Sequence, residues 1–269
     1  MSMDNFSIIK IEGLNYSINE KEILKDINLE IKKGLFYSIV GPNGSGKTTL
    51  LRNISRTIEP PKNTINIETK DILDFKYKDF AKILSYVPQN TSIDLDFTSL
   101  DVVLMGRHPY LKRFESEKQW DLAVAEKSMK MTNTWHLKDK SIKTLSGGER
   151  QRVVIARALA QESRIMLLDE PISQLDIHNQ IEIMDTIRLL NKKYGITVIS
   201  VLHDLNIAAQ YSDYLIFLHE GQIVSLGEPD SVLTEETIKK VYNLDVLMIK
   251  NPINGKPHLI PKSPRYSGL

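Results

Sequence analysis

Apolar and polar residues alternate along the first forty positions of the chain. Phe6, Ile8, Leu14 and Tyr16 fall on alternating positions around a break at Gly13, which predicts an early strand pair. Over 23–31, Ile27, Leu29 and Ile31 alternate with Asn28 and Glu30, the pattern of a half-buried strand. A turn at Lys33-Gly34 leads into 35–40, a short apolar run that predicts a buried strand. A glycine-rich loop follows at 41–47, and 48–55 predicts a helix. Between Tyr77 and Val87 the pattern gives a short helix and then a strand at 83–87, stopped by Pro88. From about 90 to 163 the spacing turns helical, as in Trp120, Val124, Lys127 and Met131, which predicts a helical insertion with Trp120 and Met131 on its core stripe.

Beyond that insertion strands and helices alternate: a strand at 164–168, a helix at 178–194, a strand at 196–201, a helix at 205–211 and a strand at 214–218. This rhythm predicts an α/β fold with a largely parallel sheet and crossover helices. Near the end, 246–249 and 258–260 flank Asn254-Gly255, a dipeptide suited to positive φ, which predicts a small hairpin.

Composition narrows the classes. With 269 residues, 41% of them hydrophobic and 26% charged, the chain can bury the core of one large α/β domain or two small ones. A formal net charge of +1 gives no electrostatic ground for nucleic-acid or lipid binding. The chain has no cysteine, which excludes disulfides, thiolate metal sites and cysteine nucleophiles. The first eleven residues carry no apolar stretch of signal-peptide length, and runs such as 165–168 and 198–202 are too short to cross a bilayer. The expectation is a soluble subunit that leaves membrane work to a partner.

Three segments carry candidate chemistry. Gly41-Pro42-Asn43-Gly44-Ser45-Gly46-Lys47-Thr48 fits G-x-x-x-x-G-K-[ST], in which backbone N–H groups turn inward around a phosphate. Lys47 can reach the β- and γ-phosphates and the Thr48 hydroxyl can bind Mg²⁺. The run from Arg164 to Glu170 is an apolar strand ending in two carboxylates, Asp169 suited to a Mg²⁺ role and Glu170 to orienting or deprotonating water. Leu145-Ser146-Gly147-Gly148-Glu149-Arg150-Gln151 opens a helix. Ser146 and Glu149 alone would make an ordinary capping box, but capping does not call for two consecutive glycines.

That last segment resembles the signature motif of ABC ATPases, and the resemblance extends over nearly the whole chain in the family's order. It implies a P-loop ABC ATPase core, with a mostly parallel sheet and an antiparallel β subdomain, over residues 6–243. A helical subdomain would be inserted at about 90–163, and 244–269 would form a small C-terminal extension. The resemblance implies ATP and Mg²⁺ as cofactors, with nucleotide held by Tyr16, Gly41, Asn43, Gly44, Ser45, Gly46, Lys47, Thr48 and Thr49. Gln89, Glu170 and His203 would be catalytic, with Thr48, Gln89 and Asp169 around the metal. Ser173-Gln174-Leu175-Asp176 resembles the D-loop, with Gln174 where alanine is common and Ile172 where threonine is usual.

In this family two subunits pack head to tail, so that Ser146, Gly147 and Gly148 of each close over the other's ATP; a homodimer is the simplest source of the second copy. The segments 103–110, 203–213 and 245–250 resemble one importer group, whose members power uptake of iron–siderophore, haem or cobalamin chelates. That group implies an integral membrane permease dimer, an extracytoplasmic binding protein acting indirectly, and a peripheral place on the cytoplasmic face of the cell membrane. An importer of another substrate and a soluble ABC ATPase outside transport remain as alternatives. The latter commonly carries coiled-coil insertions or a second nucleotide domain, neither of which is seen here.

Overall fold

The computed structural model describes residues 6–91 and 96–262. They divide into two compact units, one drawn from Met1–Asp74 with Val198–Leu269 and the other Phe75–Thr197. The first unit opens with β1 (Ser7–Ile18) and β2 (Lys21–Lys32), an antiparallel pair that meets Ile9 with Ile31, Ile11 with Leu29 and Leu14 with Ile27. All six of these side chains are buried, so the alternation in sequence is one apolar face of a sheet. After β3 (Phe36–Val40), buried throughout, and α1 (Lys47–Ile54), β4 (Ile65–Ile67) and β5 (Lys70–Asp71) extend the first pair into an antiparallel sheet ordered β2-β1-β4-β5.

The second unit begins with α2 (Tyr77–Ala81) and β6 (Leu84–Val87). Then come α3 (Ser99–Leu104), a 3₁₀ segment Met105–Tyr110, α4 (Gln119–Met131) and α5 (Gly147–Ala160). These helices share a core of Val102, Val103, Val124, Ala125, Met129 and Val153. The chain continues through β7 (Ile165–Asp169), parallel to β6, into α6 (Ile177–Tyr194), which stops at Gly195 in the left-handed conformation.

One expectation about the helices is corrected. Trp120 is 68% exposed and not on a core stripe. The buried face of α4 runs through Asp121, Val124, Ala125, Ser128 and Met129, a rotation of one residue, about 100°. An acidic residue occupies the place expected for the tryptophan, because Arg107 meets it there.

Returning to the first unit, the chain forms β8 (Thr197–Val201), α7 (Leu205–Tyr211), β9 (Tyr214–His219) and β10 (Gln222–Gly227). Strand β3 lies parallel to both β8 and β9, and β10 returns antiparallel along β9. Two short helices follow, α8 (Pro229–Val232) and α9 (Glu235–Tyr242), then the antiparallel pair β11 (Val246–Lys250) and β12 (Pro257–Pro261). Asn206 on α7 anchors this pair, accepting from the Leu259 N–H at 2.7 Å and donating to the Leu259 carbonyl at 3.2 Å. The architecture is α/β, with parallel strands, an antiparallel sheet and a block of helices. The strands β4, β5 and β10 were not expected from the sequence. Among the described residues no helix is long and apolar enough to cross a membrane.

Candidate functional site

In the first unit the glycine-rich loop leaves the end of β3 and enters α1. Gly46 is the N-cap of α1, with φ 102° and no side-chain cap. A Cβ there would meet Leu24 Cδ2 at 2.9 Å and the Ile23 carbonyl at 3.1 Å, so a side chain is excluded by both backbone angle and space. The N–H groups of the first helical turn are those that an α-helix leaves for an external acceptor, and they carry its positive dipole end. Lys47 is 6% exposed, and its Nζ donates to the carbonyls of Gly41 (2.8 Å) and Pro42 (2.9 Å). Ser45 Oγ is buried without a hydrogen-bond partner, as expected of a donor meant for a ligand oxygen.

The loop is buttressed by the β9–β10 turn, a contribution that the sequence reading missed. Glu220 and Gly221 both have positive φ, the requirement of a tight two-residue hairpin turn. The Gly221 N–H donates to the Ser45 carbonyl (3.1 Å) and its carbonyl accepts from the Lys25 N–H (2.8 Å). A Cβ on Gly221 would lie 2.4 Å from the Ile23 carbonyl. The available signal was the Glu-Gly dipeptide between two apolar runs.

Tyr16 and His203 belong to the same unit. Tyr16 is half-buried on β1 opposite Leu24, the residue that packs on Gly46. His203 follows the end of β8, where the Leu202 N–H bonds the Ile39 carbonyl one residue before β3 ends. Its side chain is exposed, and Asp204 next to it caps α7 by accepting from the Asn206 and Ile207 N–H groups. Asn43 and Gly44 are exposed, and Thr48 and Thr49 are half-buried on the first turn of α1.

In the second unit Asp169 ends β7 and is fully buried, its Oδ2 accepting from Tyr86 Oη at 2.9 Å. Glu170 is held in the left-handed region at φ 51°, a strain of about 1–3 kcal/mol for a residue with a side chain, and such strain concentrates at functional sites. Its Oε2 accepts from Gln89 Nε2 at 2.6 Å. Gln89 and Glu170 line a cleft of about 160 Å³ together with Gly147, Arg150, Ser173 and Gln174.

Ser146 caps α5 in a reciprocal box, its Oγ accepting from the Glu149 N–H while Glu149 Oε2 accepts from the Ser146 N–H at 2.8 Å. The Ser146 N–H, and then its hydroxyl, hold the Glu149 carboxyl below the usual range. Gly148 packs so closely on α6 that a Cβ would lie 2.3 Å from Asn179 Oδ1. Asp176 caps α6 through the Asn179 N–H, and Arg152 bridges Asn179 to Glu182. Of the two unusual D-loop residues, Ile172 is buried and Gln174 is exposed in the cleft.

The structure therefore gathers Tyr16, the loop of 41–49 and His203 in one unit, and Gln89, Asp169, Glu170 and Ser146–Gly148 in the other. A family model described as ABC transporter matches residues 24–173. The chain belongs to the ABC transporter family. As an ABC ATPase it binds and hydrolyses ATP. It is 38% identical over 257 residues to the "Ferric enterobactin transport ATP-binding protein FepC" of Escherichia coli (strain K12), covering 95% of each chain. It is 36% identical over 261 residues to the "Hemin import ATP-binding protein HmuV" of Gloeobacter violaceus, covering 94% of each. A solved transporter described as of the metal-chelate type, in an inward-facing conformation, superposes with a TM-score of 0.84 at 27% identity over 96% of this chain and 99% of that one.

In this ABC ATPase the segment 103–110 holds a network whose function the sequence did not show. Arg107 is 2% exposed and donates through Nε to Asp121 (2.9 Å) and through Nη1 to the Ala160 carbonyl (2.6 Å) and Glu162 (2.7 Å). Its guanidinium lies 4.0 Å from the centroid of the Tyr110 ring, a cation–π contact. The Tyr110 hydroxyl donates to the Gln161 carbonyl. The motif that resembles the importer group thus fastens the 3₁₀ segment to the ends of α4 and α5.

Proposed function

We propose that this ABC ATPase powers import of a metal chelate, of the iron–siderophore, haem or cobalamin type, through a separate membrane permease. Near full-length likeness to proteins named for ferric enterobactin transport and hemin import carries this reading. The resemblance assigns the roles. Tyr16 stacks on the adenine, while Gly41, Asn43, Gly44, Ser45, Gly46, Lys47, Thr48 and Thr49 hold the phosphates. Glu170 activates the attacking water, Gln89 orients it, and His203 contacts the γ-phosphate. The orphan Ser45 hydroxyl, the uncapped start of α1 and the Gln89–Glu170 hydrogen bond support these roles.

Thr48, Gln89 and Asp169 would hold Mg²⁺. Asp169 fits as a buried carboxylate fixed by a hydroxyl donor, and among the described residues no cluster of three metal-ligating side chains exists. Mg²⁺ needs none, since phosphate oxygens and water supply most of its shell. When bound, it neutralises charge on the phosphates.

Residues 6–243 act as the nucleotide-binding domain, with a helical subdomain over about 90–163 and a terminal extension over 244–269. The working assembly is a homodimer in which Ser146, Gly147 and Gly148 close over the second copy's ATP. The dimer sits on a permease dimer at the cytoplasmic face of the membrane, and a binding protein delivers the chelate to the permease. Glu170→Gln keeps the shape of the side chain but removes its charge. It should abolish steady-state hydrolysis while ATP binding persists and traps a dimer, read by phosphate release and by gel filtration with ATP. Hydrolysis near the wild-type rate would overturn the assignment of the base.

A further inference from the structure

Outside its buried face, α4 carries a line of residues that the core does not use. Trp120, Ala123, Lys127 and Met131 stand at i, i+3, i+7 and i+11, so they follow one side of the helix over about 16 Å. The first three are exposed and Met131 is half-buried. Ala123, Lys127 and Met131 line a groove of about 480 Å³ together with Tyr194, the last residue of α6. Trp120 extends the same line toward the start of α4, so large side chains bracket the small Ala123.

The groove is basic. Among the described residues that line it Glu126 is the only carboxylate, and it is paired with Lys130 one turn on, at 2.6 Å. Lys127 and Lys193 stand over the Tyr194 ring, 5.7 and 5.6 Å from its centroid. Neither meets a carboxylate among the described residues. An aromatic ring with two unanswered ammonium groups, beside an apolar groove, suits a partner that brings apolar side chains and negative charge together. A second copy is a poor occupant, since a two-fold contact would set these lysines against their own images. The concave shape fits an inserted element better than a flat lipid surface.

We propose that this groove receives an amphipathic helix of another protein, its apolar stripe laid along α4 and its acidic flank meeting Lys127 and Lys193. Ala123 lets the two helices approach closely, while Trp120 and Tyr194 supply apolar area around it. Nothing in this contact depends on the cargo or on the nucleotide site.

The test uses the full chain in its native cells, with Trp120 replaced by the photocrosslinking residue p-benzoylphenylalanine and the crosslinked segment sequenced by mass spectrometry. We expect a segment of another protein with apolar residues at helical spacing and an excess of Asp and Glu. Ala123→Trp fills the groove, and Lys127→Glu with Lys193→Glu reverses its charge; each change should lower the crosslink yield at least about tenfold. These three positions are exposed, so the melting temperature and ATPase rate of the purified chains should stay as in wild type. An adduct with a second copy of this chain, with lipid, or with a neutral or basic segment would overturn the inference. So would the absence of an adduct, or a yield that either change leaves as it was.

Discussion

Replacing Arg107 by alanine should destabilise the helical part of the second unit more than any surface change. Arg107 and Asp121 are 2% and 5% exposed and meet at 2.9 Å. Without the guanidinium the Asp121 carboxylate stays buried with only the Lys118 N–H, at 3.0 Å, as its other donor. The Ala160 carbonyl at the end of α5 also loses a donor. Breaking a buried ion pair from one side costs about 3–5 kcal/mol, most of it from the charge left behind. The Glu162 arm adds little, because that side chain is 46% exposed.

The assay is urea denaturation of wild type, Arg107→Ala, Asp121→Leu and the double variant Arg107→Met with Asp121→Leu. The first variant should lose the most and the double variant should recover much of the loss, because no buried charge remains in it. Burial pushes the Asp121 carboxyl up, but the Lys118 N–H and Arg107 outweigh it and hold the group below its ordinary value of 3.8. A depressed carboxyl stabilises the fold above its unfolded value and loses that contribution as pH falls through the folded one. The gap between wild type and Arg107→Ala should therefore be constant near neutrality and shrink below about pH 4. A loss within about 0.5 kcal/mol at neutral pH, the range of ordinary surface substitutions, would refute the clamp.

The two signature glycines should respond in opposite ways. Gly148→Ala pushes a Cβ to 2.3 Å from Asn179 Oδ1, which Arg152 and Asp176 hold in place, so overpacking should cost about 1–3 kcal/mol by urea denaturation. Gly147→Ala meets only Leu175 Cδ2, at an ordinary 3.4 Å, so the fold should be unharmed or gain up to about 1 kcal/mol of helix propensity. ATP hydrolysis by Gly147→Ala should nevertheless fall at least about tenfold, if a second copy's phosphate approaches that backbone. Full activity in that variant would remove the glycine from the proposed dimer site.

Local patterns made part of this protein legible. The alternation of Ile27, Leu29 and Ile31 found β2 because a sheet with one buried face writes itself at period two. The loop of 41–48 was legible because the positive φ of Gly44 and Gly46, and the tight packing at Gly46, admit few residues besides glycine. Strand β10 escaped because Ile223 and Val224 are only half-buried and Leu226 is exposed, which leaves no clean alternation. Trp120 was misplaced because helical spacing fixes a face only to within a residue, and the buried Asp121 that shifts it depends on Arg107 from another element.

At Ser146–Glu149 the structure shows the capping reading, and the functional one has to rest on what capping leaves over. The capping box is formed, so Ser146 and Glu149 meet the ordinary demand of a helix start. Packing against Asn179 accounts for Gly148. What the fold does not require is Gly147, which has room for a side chain and lies beside the cleft that holds Gln89 and Glu170. A glycine unexplained by backbone angle or space points to something that must come close from outside. Of the seven residues of the motif, Gly147 is the one where stability and activity should part company.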